Sequence, residues 1–99
     1  MSELNSKQIS HLRALAHNLN PVVMIGNNGL TESVLREVEV SLAAHELIKI
    51  KVFGDDRDNR LQILEEIIAK TGAVAVHHIG KQLVIYRKAD KPKIELPKK

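Results

Sequence analysis

Hydrophobic residues recur along the chain at two spacings, which together predict three helices and four strands. A spacing of three and four residues is typical of a helix with one buried face, and it occurs over residues 5–18 and about 32–45. The same spacing predicts a third helix that begins after a cap at Asp56 or Asp58 and ends at residue 71. Alternating or continuous apolar runs predict strands at 22–25, 47–53, 73–79 and 82–87. We therefore expect an α/β protein, a two-layer α/β sandwich in the order α-β-α-β-α-β-β with a four-stranded mixed sheet.

Several residues mark where these elements begin and end. Asn5 or Ser6 can cap the first helix, and Pro21 limits it because the residue before a proline avoids the helical region. The first strand, residues 22–25, is apolar at every position, which predicts a central strand that is buried on both faces. Thr31 is suited to cap the second helix.

The first strand runs into a Gly-x-x-Gly turn formed by Gly26, Asn27, Asn28 and Gly29. Two glycines bracket two small polar residues, so the backbone can turn tightly and nothing bulky keeps a phosphate group from the amides. The helix that follows presents free N–H groups and the positive end of its dipole at the same point. The turn is either a contact for an anionic backbone or a connection that needs glycine for geometry alone.

Positive charge recurs on the first helix and on the second strand. Lys7, Arg13 and His17 lie away from the buried stripe of the first helix, which contains no acid. Lys49 and Lys51 share one face of the alternating second strand. These side chains form either a cationic surface for an anion or, in the plainer interpretation, a solvated helix face and a lysine-protected sheet edge.

The net charge of +3 and the pI of 9.3 arise at the end of the chain. Residues 88–99 hold five lysines and two acids, whereas the remaining residues hold ten Lys/Arg and ten Asp/Glu. We expect a folded domain at 1–88 and a flexible basic tail at 89–99, which either adds electrostatic affinity or only solubilises the terminus. Any basic surface must therefore come from segregation of charge within a neutral domain.

Sequence motifs for catalysis and for metal binding are missing. The chain has no cysteine, no Gly-x-Ser-x-Gly nucleophile motif, no P-loop and no dinucleotide-binding fingerprint. A calcium loop counted from Asp56 fails because Arg60 and Leu61 stand where a ligand and a glycine are needed. We expect no enzymatic activity, no cofactor, no metal site and no small-molecule substrate.

The start of the chain and its apolar runs bear on where the protein works. The N-terminus does not resemble a signal peptide, and no apolar run approaches the roughly 20 residues that span a bilayer. We therefore expect a cytoplasmic protein that does not contact a membrane.

Phe53 and Tyr86 are the only aromatic residues, which is too few for RNA recognition by stacking several bases on a sheet. Recognition of RNA would instead use backbone amides and cationic side chains, as a KH-type Gly-x-x-Gly loop does.

Four blocks of sequence carry a family resemblance. They are Leu-Arg-Ala-Leu-Ala-His at 12–17, Asn-Pro-Val-Val-Met-Ile-Gly-Asn-Asn-Gly-Leu-Thr at 20–31, His-Glu-Leu-Ile-Lys-Ile-Lys-Val at 45–52 and Ile-Gly-Lys-Gln-Leu-Val-Ile-Tyr-Arg at 79–87. In this order they resemble the CRM domain, the chloroplast RNA splicing and ribosome maturation domain, and in particular its stand-alone bacterial form, the YhbY family. The resemblance extends over about residues 4–88.

The resemblance implies an RNA-binding module with a KH-like Gly-x-x-Gly loop and a fold similar to the C-terminal domain of a bacterial translation initiation factor. It implies that bacterial members associate with precursors of the large ribosomal subunit and that plant relatives act in group II intron splicing, without enzymatic activity. Family members often have a lysine inside the loop, where this chain has Asn27 and Asn28. Cationic side chains elsewhere would therefore have to supply more of the charge.

We therefore expect a monomeric RNA-binding protein that contacts ribosomal RNA in precursors of the large subunit and assists ribosome maturation. The predicted RNA-binding residues are Gly26, Asn27, Asn28, Gly29, Lys7, Arg13, His17, Lys49 and Lys51, with Lys81 and Arg87 as secondary candidates. The alternative is a protein–protein adaptor on ribosomal particles, which would use its acidic helices to meet basic ribosomal proteins without direct RNA contact.

Overall fold

The computed structural model describes residues 4–97 and contains the three helices and four strands that the hydrophobic spacing predicts. In chain order they are α1 (Ser6–Ala16), β1 (Val23–Ile25), α2 (Glu32–His45), β2 (Leu47–Val52), α3 (Arg57–Thr71), β3 (Val74–Ile79) and β4 (Gln82–Tyr86). Within this described part, no helix combines the length and the hydrophobicity that a membrane span requires.

The strands form one mixed sheet in the order β1-β2-β4-β3. β1 pairs in parallel with β2, and β4 pairs antiparallel with both β2 and β3. The predicted α/β class, element order and mixed sheet are confirmed. The prediction that the first strand is central and buried on both faces is wrong, because β1 lies at the sheet edge and Met24 in its middle is 55% exposed.

The larger hydrophobic core lies between one face of the sheet and helices α2 and α3. Successive side chains of a strand point to opposite faces, so Ile48, Ile50 and Val52 all project from β2 to this side. They pack with a set of aliphatic residues from the other elements, namely Val23, Ile25, Val38, Leu42, Ile63, Leu64, Ile67, Ala73, Leu83 and Ile85. Because burying such a side chain contributes about 1.5–3 kcal/mol, this cluster is the main source of stability.

Helix α1 packs on the opposite face of the sheet and so adds a third layer to the sandwich of sheet, α2 and α3. Leu12 and Ala16 of α1 form a second buried cluster with Leu47, Val76, Val84 and Tyr86. Helix α1 ends at Ala16 and covers only part of this face. Near the ends of β1 and β3 the same face is open, and Met24 and Ile79 are exposed there.

Side chains at predicted positions cap the helices. Of the two candidates for α1, Asn5 is the cap, since its side chain accepts a hydrogen bond from the Gln8 amide at 2.8 Å. The Gln8 side chain in turn accepts one from the Asn5 amide at 3.1 Å, which completes a capping box. Thr31 caps α2 by accepting from the Val34 amide, and Asp56 caps α3. Each cap stabilises its helix by about 1 kcal/mol.

Residues 89–97, predicted as part of a flexible tail, lie against the domain. The carboxylate of Glu46 accepts hydrogen bonds from the backbone amides of Ala89 at 3.1 Å, of Ile94 at 3.0 Å and of Lys93. A carboxylate is acceptor-only, so it can satisfy several converging backbone donors at once. The composition of the segment does not indicate this docking, because its acceptor lies more than forty residues away in sequence.

Apolar and polar contacts hold the end of the same segment. Ile94 and Leu96 pack against the buried cluster beneath α1. The side chain of Gln8 donates a hydrogen bond to the carbonyl of Pro97 at 2.9 Å. The segment therefore closes part of the α1 face.

Glu46 occupies an unusual position. It is the single residue between α2 and β2, it is fully buried, and its φ is 64°, a conformation that side-chain-bearing residues rarely adopt. Burial alone would raise the pKa of Glu46, but the three backbone amides and the Lys93 charge outweigh it, so the pKa lies below its ordinary value. The hydrogen bonds of the carboxylate thus offset the cost of its burial.

We expect Glu46→Gln to lower the free energy of unfolding by about 2 kcal/mol, because the carboxamide has one acceptor oxygen instead of two and turns an NH₂ group toward backbone donors. Urea denaturation followed by circular dichroism measures the change. Glu95→Gln, which replaces an exposed carboxylate of the same segment, is the matched control and should leave the midpoint nearly unchanged. Equal shifts in the two variants would contradict a specific role of Glu46.

The same carboxylate predicts a dependence of stability on pH. Because the pKa of Glu46 is lower in the folded chain than its ordinary value of 4.5, its contribution is present above pH 4.5 and is lost as the pH falls through the folded-state pKa. Urea midpoints measured across this range should fall more for the unmodified protein than for Glu46→Gln. Parallel curves would show that other carboxylates cause the acid sensitivity.

Candidate nucleic-acid interface

The Gly-x-x-Gly turn lies at the end of the sheet where β1 and β2 both end. The Phe53 amide donates to the Ile25 carbonyl at 2.9 Å, which places the start of the turn beside the residue that follows β2. The Gly29 amide donates to the Gly26 carbonyl at 3.0 Å, and the Thr31 amide donates to the Gly29 carbonyl at 3.1 Å. These bonds close a compact loop, residues 26–29, directly before the first turn of α2.

The two glycines of the 26–29 loop have different roles in the structure. Gly29 has a φ of 71°, which only glycine adopts at little cost, so the fold itself requires it. Gly26 does not have a positive φ, and a Cβ placed there would have no other atom within 4 Å. The protein's own geometry therefore gives no reason for glycine at position 26, whereas a molecule approaching the backbone from outside would give one.

The 26–29 loop presents backbone donors to solvent. Asn27 and Asn28 are exposed, and among residues 4–97 their amides have no hydrogen-bond acceptor. Helix α2 begins at Glu32, whose amide, like that of Ser33, has no acceptor inside an α-helix. These N–H groups and the positive end of the helix dipole together suit an anion.

Four basic side chains from three elements line one small cleft on the α1 face of the sheet. Arg13 lies in α1 and His17 is its C-cap residue, Lys49 comes from β2 and His77 from β3, and we refer to these four as the cationic cleft. The cleft has a volume of about 130 Å³, and its other lining residues are Ala16, Ile79 and Val84, so no carboxylate lines it. Three of the RNA-binding residues predicted from the sequence, Arg13, His17 and Lys49, thus line the same cleft.

A shift of register in β3 explains how His77 reaches the cationic cleft. Pairing with β4 slips between Ala75 and His77, which leaves Val76 as an extra residue, as in a β-bulge. Val76 and His77 consequently both face α1. The Val76 carbonyl accepts a hydrogen bond from Nε of Arg13 at 2.9 Å, which fixes the guanidinium beside His77.

The environment of His77 disfavours its charged form. Burial lowers the pKa of His77, and the charges of Arg13 and His78 lower it further. His78 points to the other face, as predicted for adjacent strand residues, and its Nε2 accepts a hydrogen bond from Nε of Arg60 at 3.4 Å. The two histidines cannot bind one metal together, and within residues 4–97 no group of His, Asp and Glu is arranged to hold a metal ion.

Between the 26–29 loop and the cationic cleft lies a part of the sheet that no helix covers. Met24, Lys51 and Ile79 stand in one row across the strands on the α1 face, and Met24 and Ile79 are 55% and 51% exposed. The Lys51 ammonium lies 5.1 Å from the centroid of the half-exposed Phe53 ring, within cation–π range. These four residues form the open sheet surface, which combines apolar contact area with a positive charge.

Three candidates from the sequence lie outside this group. Lys7 is near the start of α1, about two helical turns before the cationic cleft. Lys81, in the turn between β3 and β4, forms an ion pair with Asp55 at 3.2 Å. Arg87 binds Glu39 of α2 at 2.8 Å, which is a contact on the far side of the sheet. Lys81 and Arg87 therefore form intramolecular ion pairs, and Lys7 lies on α1 away from the cationic cleft.

Charge is segregated across the sheet even though the domain is formally neutral. Helices α2 and α3 carry six Asp or Glu against four Lys or Arg, whereas α1 carries two Lys or Arg and no acid. Since α1 and the α2–α3 pair pack on opposite faces, the cationic cleft and the acidic helices point in opposite directions. This is the segregation that a neutral anion-binding domain needs.

Sequence reasoning missed several residues of this surface. Phe53 could have been found, because the alternation of residues 47–53 puts it on the same face as both strand lysines. His77 could not, because regular alternation from Val74 through Val76 would put His78 on the α1 face instead. The bulge determines which of the two histidines faces α1, and no local sequence pattern predicts it.

Comparison with known proteins gives a consistent match over the whole domain. The CRS1 / YhbY (CRM) domain family model matches residues 4–87. A Haemophilus influenzae protein named "RNA-binding protein" is 52% identical over 99 residues, covering 100% of both chains. The Bacillus subtilis "Probable RNA-binding protein YqeI" is 30% identical over 95 residues, covering 95% of this chain and 99% of its own. The solution structure of SAV1595 from Staphylococcus aureus matches with a TM-score of 0.84 and 35% identity, covering 96% of this chain and 100% of that one.

The two loop glycines should respond differently to alanine. We expect Gly26→Ala to change the free energy of unfolding by less than about 0.5 kcal/mol, because its φ is ordinary and its surroundings are open. Gly29→Ala should cost about 1–2 kcal/mol, because a Cβ is strained at its positive φ. Urea denaturation of both variants checks this, and a loss at Gly26 as large as that at Gly29 would contradict it.

Proposed function

Because the chain belongs to the CRS1 / YhbY (CRM) domain family, we propose that it binds RNA through the 26–29 loop, the open sheet surface and the cationic cleft. The observation that carries this proposal is the glycine at position 26. Neither a close contact nor a positive φ inside the protein requires a residue without a side chain there. The Haemophilus influenzae and Bacillus subtilis relatives, both named as RNA-binding proteins, support RNA as the ligand.

The 26–29 loop would hold the RNA by its phosphate backbone. Backbone amides at Asn27 and Asn28 and at the start of α2 donate to phosphate oxygens, and such charge-assisted hydrogen bonds are about twice as strong as neutral ones. A bulky side chain at position 26, where the space around a Cβ is open, would crowd a phosphate that approaches the adjacent amides. The two asparagines add side-chain NH₂ donors but no charge, so the loop positions the backbone and leaves charge neutralisation to other residues.

The open sheet surface and the cationic cleft would extend the contact from the loop. Lys51 and Lys49 lie two residues apart on β2, about 7 Å along the strand, so their ammonium groups can meet successive phosphates of one RNA strand. Phe53 and its apolar neighbours can contact a ribose or stack on a single base. Recognition would therefore be mainly of backbone and shape, with limited base preference.

Charge segregation sets the orientation and the salt dependence of binding. Helix α2, with three Glu against one Arg, disfavours RNA at the far face, where α3 is formally neutral, and this directs contact to the α1 face. A formally neutral domain has little long-range attraction, so affinity should be modest at physiological salt and fall steeply as salt rises.

We further propose that the target is ribosomal RNA in precursors of the large ribosomal subunit, and that the protein assists their maturation in the cytoplasm without catalytic activity. The four sequence blocks of the family resemblance support this target. A surface of amides, cations and apolar groups fits a role in which RNA is bound and held rather than chemically changed.

We expect Gly26→Leu to weaken RNA binding about tenfold or more while leaving the fold intact. The leucine side chain blocks amide–phosphate hydrogen bonds, and losing bonds to a charged group costs about 1.5–3 kcal/mol. Fluorescence anisotropy with a labelled single-stranded RNA and a hairpin of the same composition, each at several KCl concentrations, measures the affinity.

Ala69→Leu is the matched control, because it adds the same kind of side chain to an exposed position of α3 on the far face. Its affinity should equal that of the unmodified protein. If Gly26→Leu binds RNA normally yet is folded, the loop is not the contact. If instead the folded variant loses RNA affinity and still joins ribosomal particles at full strength, the adaptor alternative is correct.

Crosslinking in cells followed by sequencing of the bound RNA tests the proposed target. We expect enrichment of large-subunit ribosomal RNA, and reduced recovery of it with Gly26→Leu. Recovery dominated by other RNA classes would leave RNA binding in place and reject the ribosomal target.

A further inference from the structure

Lys49 is the most unusual member of the cationic cleft. It lies on the central strand β2 and is only 7% exposed, and within residues 4–97 no carboxylate is in ion-pair distance of its ammonium group. Within residues 4–97 no fully buried side-chain nitrogen or oxygen lacks a hydrogen-bond partner, so the Lys49 ammonium, which has no partner there, is open to the cleft while its aliphatic stem is buried. The cleft therefore contains an ammonium group whose charge no carboxylate of residues 4–97 neutralises.

The other basic residues of the cleft line the same small space. Arg13 is held through Nε by the Val76 carbonyl, and only one of the five guanidinium N–H groups is used in that bond. His17 follows Arg13 by four residues, which places it on the same side of the helix. The cleft volume of about 130 Å³ suits one compact polyatomic anion and not a nucleobase with its ribose.

We propose that the cationic cleft is a binding site for a single phosphate group of the RNA, separate from the 26–29 loop, and that entry of the phosphate drives protonation of His77. The proposal rests on the proposed function, since the phosphate belongs to bound RNA. Lys49 lies about 13 Å along β2 from Phe53, which borders the loop. The two sites would thus hold one RNA strand at two points and fix its direction across the open sheet surface.

The coupling to His77 follows from the charges that face it. Arg13 and His17 approach from α1, Lys49 from β2 and His78 from its own strand, while β4 contributes the uncharged Val84. Burial, the Arg13 charge and the His78 charge all favour the neutral imidazole, so the pKa of His77 is lowered. A phosphate in the cleft reverses the local sign of charge, so it raises the pKa of His77 and binding takes up a proton.

The first test is Lys49→Met, which keeps the length of the side chain and removes its charge. We expect the variant to be about as stable as the unmodified protein, because the Lys49 ammonium makes no ion pair within residues 4–97 and the methionine keeps the apolar stem, and to bind the labelled RNA roughly tenfold more weakly. Lys70→Met is the matched control, since Lys70 lies on α3 at the far face and is paired with Glu66. Equal affinities of the two variants would overturn the proposal.

The second test follows the His77 imidazole by NMR. Inorganic phosphate, and separately the single-stranded RNA, should raise the pKa of His77 in the unmodified protein and not in Lys49→Met. Lys70→Met, whose substitution lies on α3 at the far face, is the control and should show the same change at His77 as the unmodified protein. No change at His77 with either ligand would contradict phosphate entry.

The two tests separate failure of this proposal from failure of the proposed function. If Gly26→Leu loses RNA affinity but Lys49→Met behaves like Lys70→Met, RNA binding stands and the cleft is not a phosphate site. If the unmodified protein binds no RNA while inorganic phosphate still shifts His77, the cleft is a site for free phosphate and both RNA proposals fail.

Discussion

The pleat of β2 is the constraint on which the rest of the structure depends. This strand pairs with β1 on one side and β4 on the other, so its six residues supply both faces of the sheet. Ile48, Ile50 and Val52 form the centre of the larger core, and Lys49 and Lys51 are therefore forced to the opposite face. A slip of one residue would bury both lysines among aliphatic side chains, so packing alone fixes the register and, with it, the cationic face.

The limited length of α1 then decides which part of that face is used for packing and which stays open. The helix ends at Ala16 and fills the area over Leu47 and Val84. Beyond it the sheet keeps an apolar, lysine-bearing area that a longer helix would have covered. A small domain with a neutral charge balance can in this way expose a basic, partly apolar surface without losing its core, because every acid on its helices belongs to α2 or α3, which pack on the other side.

Local patterns predicted the elements well, because helix and strand periodicities depend on burial of one face. They also identified Thr31 and Asp56 as caps and placed the lysines of β2 together. Three features escaped them. The apolar sequence of β1 does not reveal that the strand lies at the sheet edge. The bulge beside Val76 arises from pairing with β4. The docking of residues 89–97 depends on the Glu46 carboxylate, which is remote in sequence. Each depends on partners that a local pattern does not contain.

The carboxylate of Glu46 has a consequence for the order in which the chain folds. Its amide partners lie 43 to 48 residues further along, after every helix and strand. A chain synthesised from its N-terminus can therefore form the sheet and both cores while this acid still lacks partners, and closing so long a loop is slow relative to local helix formation. The C-terminal segment would dock last, so the native domain is complete only when almost the whole chain is available.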